Sequence, residues 1–108
     1  MYEKKLSELF QIGNFEKALN SQFIFHATTG EAITTELVKV NANGYTIPGK
    51  GKENFSLLFN DKVNPAIGQG IVKVEHQNLG SFEMFVTPVI PDRPGICYES
   101  VFNFLPEA

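Results

Sequence analysis

Between Gln69 and Pro88 the chain runs Gln-Gly-Ile-Val-Lys-Val-Glu-His-Gln-Asn-Leu-Gly-Ser-Phe-Glu-Met-Phe-Val-Thr-Pro, with apolar residues at every second position of its two halves. Val72 and Val74 alternate with Lys73 and Glu75. Phe82, Met84 and Val86 alternate with Glu83 and Thr87. A period of two belongs to a β-strand with one face buried and the other in water, and no helix satisfies it. The stretch therefore predicts two antiparallel strands joined by a tight turn at Asn78-Leu79-Gly80. Phe85 is the exception. It falls on the polar side of its strand, where it would meet the N-terminal helices or a partner.

The rest of the chain extends or covers that hairpin. Residues 2–20 carry a helical pattern, with Leu6, Leu9 and Phe10 at i, i+3 and i+4. Gly13-Asn14 divides it, since glycine suits the left-handed end of one helix and asparagine the cap of the next. Phe15, Ala18 and Leu19 then form a second apolar face. Two short helices closing one end of a barrel or sandwich follow, and a partner-binding amphipathic helix is the sharper reading. From Gln22 the period becomes two, with Phe23 and Phe25 on one face and a turn at Thr28-Thr29-Gly30. Ala32–Val40 is rich in β-branched residues, but Glu36 and Lys39 do not share one alternation phase, so a bulge or a change of exposed face is expected. Asn41–Glu53, with Asn43-Gly44 and Pro48-Gly49, is the longest loop, with a few residues of strand at Tyr45-Thr46-Ile47. Phe55, Leu57 and Phe59 share one face of a compact strand. Asn60–Gly70 is a second loop. Pro88 and Pro91 end the second strand of the hairpin. The last strand spans Cys97–Leu105.

One domain suffices for 108 residues. A chain of this length buries roughly two thirds of its unfolded surface, enough for a core without cross-links. Ten of its aromatic residues are Phe and none is Trp, a composition for packing rather than for hydrogen-bonded recognition. Net charge is −3 and the nine basic residues are thinly spread. That leaves no stripe for a phosphate backbone, and nucleic acid is not an expected partner. The single cysteine, Cys97, excludes an intrachain disulfide. Met1–Phe10 alternates charged and apolar residues without the continuous apolar run of a signal peptide. No 18 apolar residues stand together, so no membrane helix is expected and the cytoplasm is the default address.

Phe55-Ser56-Leu57-Leu58-Phe59, Gln69-Gly70-Ile71, Glu75-His76 with Leu79-Gly80, Met84-Phe85-Val86-Thr87-Pro88-Val89 and Tyr98-Glu99-Ser100-Val101-Phe102-Asn103 follow one another in order. These segments resemble a bacterial family of unknown function, the DUF6916 domain. Together they lie within residues 55–103 and cover about half the chain in order. Family members tend to have one short helix leading to a glycine and then a Phe-containing strand, whereas here Gly13 precedes an extra turn or two before Phe23. The resemblance implies no activity and no catalytic residues. It implies at most a place in a larger bacterial or phage-tail-like assembly.

The residues able to carry chemistry are few. His76, beside Glu75 and just before the turn, would serve as a general base or metal ligand, or else as a turn histidine whose ring nitrogens satisfy backbone groups of Gln77–Gly80. His26 stands at a strand end. Two histidines 50 positions apart, without a clear third ligand, make no zinc site. Cys97 has no CxxC partner and reads as a small buried hydrophobe. Glu36, Glu75, Glu83 and Glu99 read as solvated strand faces, and nothing in the sequence brings Asp92 and Glu99 together. Gly49-Lys50-Gly51-Lys52 lacks P-loop spacing, leaving Lys50 and Lys52 on a flexible basic loop suited at most to contact with an anion.

The expected architecture is mainly β: a six- or seven-stranded antiparallel barrel or sandwich (22–105) with one or two short N-terminal helices (2–20). The expected role is a non-enzymatic structural or interaction module without cofactor or metal. It would bind a protein partner or a second copy, with no role for nucleic acid or membrane. The 41–53 loop, Ile24, Phe85 or an edge strand would form the contact. The alternative is a small-molecule-binding barrel whose mouth is lined by phenylalanines. An enzyme would require His76 or His26 within hydrogen-bond reach of a carboxylate inside a cleft.

Overall fold

The computed structural model describes residues 12–46, 53–63 and 67–102, leaving aside the side chains of 42–46, 53 and 54. Among the described residues one helix, α1 (Ile12–Lys17), precedes six strands: β1 (Gln22–His26), β2 (Ala32–Thr46), β3 (Glu53–Asp61), β4 (Gly70–His76), β5 (Gly80–Val89) and β6 (Ile96–Phe102). The strands close into an antiparallel barrel in the order β1-β2-β3-β6-β5-β4. Barrel, not sandwich, is thus the architecture, with six strands among the described residues. Closure comes from β1 pairing with β4 (Phe25↔Val74) as well as with β2 (Phe25↔Ile33).

The alternation seen in the sequence is the alternation of the wall. Phe23, Phe25, Val72, Val74, Phe82, Met84 and Val86 point inward and are buried. Phe55, Leu57 and Phe59 are fully buried from β3. Six strands make a barrel too narrow to stay hollow, so side chains fill it. The rings of Phe23, Phe25 and Phe59 meet edge-on at 5.0–5.2 Å, and Phe25 meets Tyr98 at 6.0 Å.

The phase conflict in β2 is a bulge. Leu37 pairs with Phe59 but Lys39 pairs with Leu58, so Val38 is the extra residue. Before it, Ile33, Thr35 and Leu37 face inward. After it, Lys39 turns out and Val40 packs against the core.

Several local expectations are corrected. Gly13-Asn14 does not break the helix but lies inside α1. Gly13 has no positive φ; the chain turns at Asn20 (φ 69°), after Lys17. Glycine in a helix costs about 1 kcal/mol, which the burial of Phe15 offsets. Leu19 consequently falls beyond the helix and is 42% exposed rather than part of its apolar face. Residues 41–46 and 53, expected in the longest loop, are strand, since β2 runs to Thr46 and pairs again with β3 at Thr46↔Glu53. Asn60 and Asp61, expected in a loop, complete β3 against β6. Pro88 does not end β5: it pairs with Tyr98. It lies past Gly70↔Val86, where β5 has lost β4 as a neighbour, so a residue without an N–H is tolerated. The hairpin turn is Gln77-Asn78-Leu79, one residue earlier than expected, because Gly80 (φ 82°) already pairs with His76. The expectations for residues 2–11, for 47–52 with Lys50 and Lys52, and for 103–105 lie outside the described residues.

α1 closes one mouth of the barrel through Phe15. Its ring sits within 5.8–6.5 Å of Phe23, Phe55, Phe82 and Phe102, which come from four different strands. Phe15 is 0% exposed. After α1, the Asn20 N–H donates to Leu37 O (2.7 Å) and the Leu37 N–H to Ser21 O (3.1 Å), tying the connection to β2.

Candidate functional site

His76 continues the inward phase of Val72 and Val74, so β4 delivers an imidazole to the mouth that α1 covers. Its Nδ1 accepts from the backbone N–H groups of Asn78 and Leu79, both at 3.1 Å. Its Nε2 lies 2.8 Å from Ser21 Oγ. The Ser21 hydroxyl donates to Ala18 O. These bonds determine the tautomer. An Nδ1 that takes two N–H donors carries no proton, so the proton is on Nε2 and is donated to Ser21. The ring is 4.4 Å from that of Phe23 and is almost fully buried. Burial pushes His76 below the ordinary histidine value of 6.5, because the low-dielectric surroundings penalise the charged ring.

A serine hydroxyl beside a histidine resembles a nucleophile with its base, but the polarity here is reversed. A general base must accept the serine proton. Here the ring donates to Ser21, while the hydroxyl spends its own proton on Ala18 O. The position that a carboxylate holds in such sites is filled by two backbone amides. The arrangement ties α1, the hairpin turn and β4 together.

His26 lies on the outer wall with Nε2 3.2 Å from Glu75 Oε1, off the line that a hydrogen bond requires. Both side chains are partly exposed. His26↔Lys73 and Ile24↔Glu75 are successive rungs on the outer face of the β1–β4 ladder, with Phe25↔Val74 facing inward between them, so this contact follows from register. Glu75 and His76 point to opposite faces and do not meet as a pair. Asp92 sits on the outside between Lys39 (Nζ at 3.2 Å) and Arg93 (Nε at 2.7 Å), and these two cations hold its carboxyl far below the usual range. Cys97 is buried on the outer face of β6, where Asn60 Nδ2 lies 3.6 Å from its Sγ and donates to Pro94 O at 3.0 Å.

Three clefts flank these residues. One of about 470 Å³ runs over Ser21, Ile24, Glu75, His76 and Ser81. One of about 250 Å³ separates α1 from the turn, between Asn14, Lys17, Ala18, Asn78 and Leu79. The third, about 520 Å³, crosses Gln22, Glu36, Asn60 and Lys62. No phenylalanine lines any of the three, and the inward phenyl rings pack on one another. The described residues contain no group of three His, Cys, Asp or Glu side chains able to hold a metal.

The outer wall bears one further feature. Ile71 pairs directly with Phe85 across β4–β5. The β5–β6 register, Thr87↔Glu99, carried two residues on, brings Phe85 level with Val101. Ile71, Phe85 and Val101 are 51%, 50% and 51% exposed, and form an apolar band across three strands. Lys73↔Glu83 is the next outward rung on one side, and Thr87↔Glu99 on the other. Phe85 stands out in the sequence, but Ile71 and Val101 each look like one apolar residue among polar ones. Ser21 carries no sequence signal, because its partner is 55 positions away.

No described helix is long and apolar enough to cross a membrane. No curated protein and no solved structure matches the chain. The model of a domain of unknown function, DUF6916, matches residues 10–102. That match takes in α1 and all six strands, so the chain belongs to the DUF6916 family.

Proposed function

We propose that this protein is a non-enzymatic structural or interaction module that associates with a second copy of itself through the outer wall of β4, β5 and β6. The observation that carries this reading is the Ile71–Phe85–Val101 band, three large apolar side chains held half in water on a rigid wall. Interface cores are enriched in aromatic residues, Phe among them, and depleted of charge. A stable interface needs about 800 Å² from each partner, more than three half-exposed side chains supply, so the flanking rungs belong to it. Those rungs carry charges of both signs, Lys73 beside Glu83 on one and Glu99 on the other. A two-fold axis along the band sets the two rungs of one copy against those of the other in exchanged order, with no like charges forced together.

The polarity of the Ser21–His76 bond supports a structural reading of the most site-like cluster, and the packed phenyl rings favour it over a ligand-binding barrel. Lys39 and Arg93 are engaged by Asp92, which fits a protein partner better than a nucleic acid. A cytoplasmic address fits the lone, buried, unpaired Cys97.

Sedimentation velocity across a concentration series tests the proposal. Wild-type protein should show a monomer–dimer equilibrium, and Phe85→Glu should be monomeric over the same range with an unchanged circular dichroism spectrum. Wild-type protein that stays monomeric at millimolar concentration, or a Phe85→Glu dimer as strong as the wild type, would overturn it.

A further inference from the structure

The Nδ1 atom of His76 has no room for a proton. Two backbone N–H groups, from Asn78 and Leu79, already point at it from 3.1 Å, and both belong to the turn that closes the β4–β5 hairpin. Protonating the ring converts its one acceptor into a donor aimed at two donors. The Nε2 bond to Ser21 survives, because that atom donates in either charge state. The backbone bonds that tie Asn20 and Ser21 to Leu37 contain no titrating group. A proton on His76 therefore acts on one side only, against the turn.

We infer that His76 is a proton-operated catch on the hairpin turn: below neutral pH its ring charges, the amides of Asn78 and Leu79 are released, and the cleft between α1 and the turn opens. That cleft, about 250 Å³, is lined by Asn14, Lys17 and Ala18 on the helix side and by Asn78 and Leu79 on the turn side, with His76 between. Leu79 is partly buried against the core, so its movement exposes apolar surface at the mouth.

The charged groups around the ring are few. On α1, Lys17 lines the same cleft and opposes a second positive charge. On β4, Glu75 points to the other face, where it meets His26. The connection before β1 presents the uncharged Ser21, β1 presents Phe23, the turn presents amides, and Gly80 and Ser81 of β5 carry no charge. An imidazolium gains some cation–π attraction from Phe23 at 4.4 Å, but that contact supplies no acceptor to the two amides.

The test follows the full chain by ¹⁵N NMR from pH 8 to pH 4. At pH 8, His76 should have a pyridine-type Nδ1 and a pyrrole-type Nε2. Its titration midpoint should lie below 6.5, and the amides of Asn78 and Leu79 should shift and lose exchange protection with that same midpoint. The Asn20 and Leu37 amides should stay protected through it. In His76→Gln, whose side-chain oxygen can accept from the turn, the Asn78 and Leu79 amides should show no such midpoint. The inference is overturned by a His76 midpoint at or above 6.5, by turn amides indifferent to it, by the same amide transition in His76→Gln, or by loss of the whole spectrum in one step with His76.

Discussion

Ser21 and His76 matter through the direction of their hydrogen bonds. Removing the hydroxyl in Ser21→Ala leaves a buried Nε2–H without an acceptor, which costs about 1–3 kcal/mol; chemical denaturation should register that loss. The pH dependence has a definite sign. Folded His76 binds its proton less tightly than the unfolded chain, whose histidine titrates near 6.5. The unfolded state therefore holds more protons in the window between the two values, and stability rises with pH there. The contribution is complete above 6.5 and is lost as pH falls from 6.5 through the depressed folded value. Stability of His76→Gln, measured against pH, should lack that component. Two glycines set a second comparison at this scale. Gly80 (φ 82°) faces open space, so Gly80→Ala should cost only the left-handed backbone penalty, about 1–2 kcal/mol. Gly95 (φ 100°) adds a backbone clash, because a Cβ would meet the carbonyl oxygen of Asp61. Gly95→Ala should be the more destabilising of the two in thermal unfolding, because the β3 backbone has to shift.

Each element is positioned by contacts that its own periodicity does not contain. α1 has one buried anchor of any size, Phe15, and that ring reaches Phe23, Phe55, Phe82 and Phe102. Phe15→Ala should cost about 3–5 kcal/mol. A helix of six residues is not stable alone, so the same substitution should release α1 and raise amide exchange in residues 12–21. The bulge at Val38 was legible as a clash of alternation phases between Glu36 and Lys39. Pro88 was not legible as strand, because its tolerance depends on where β4 ends. Gly13 misled for a related reason: a glycine reads as a breaker locally, while the side chain two positions later decides whether the helix continues.

At the scale of the molecule, barrel closure removes the free sheet edges that a sandwich would leave, and it turns alternation into an inside and an outside. Phe85→Glu should therefore leave the protomer's own stability within about 0.5 kcal/mol of wild type, since it replaces an outward side chain. Compared by calorimetry at concentrations where the wild type is monomeric, the two should melt together, and only the wild type should gain melting temperature as concentration rises. The sequence alone was enough for the β class, the inward set Phe23, Phe25, Phe55, Leu57, Phe59, Val72, Val74, Phe82, Met84 and Val86, the outward Phe85, and the family. All of these rest on residues close together along the chain, where period and turn chemistry are written directly. The tertiary structure decided barrel over sandwich, the bond from Ser21 to His76, the tautomer of that ring, and the alignment of Ile71, Phe85 and Val101 into one band. These depend on which strands pair and in what register. Register is settled by the burial of whole faces at once, so no single segment of the chain encodes it.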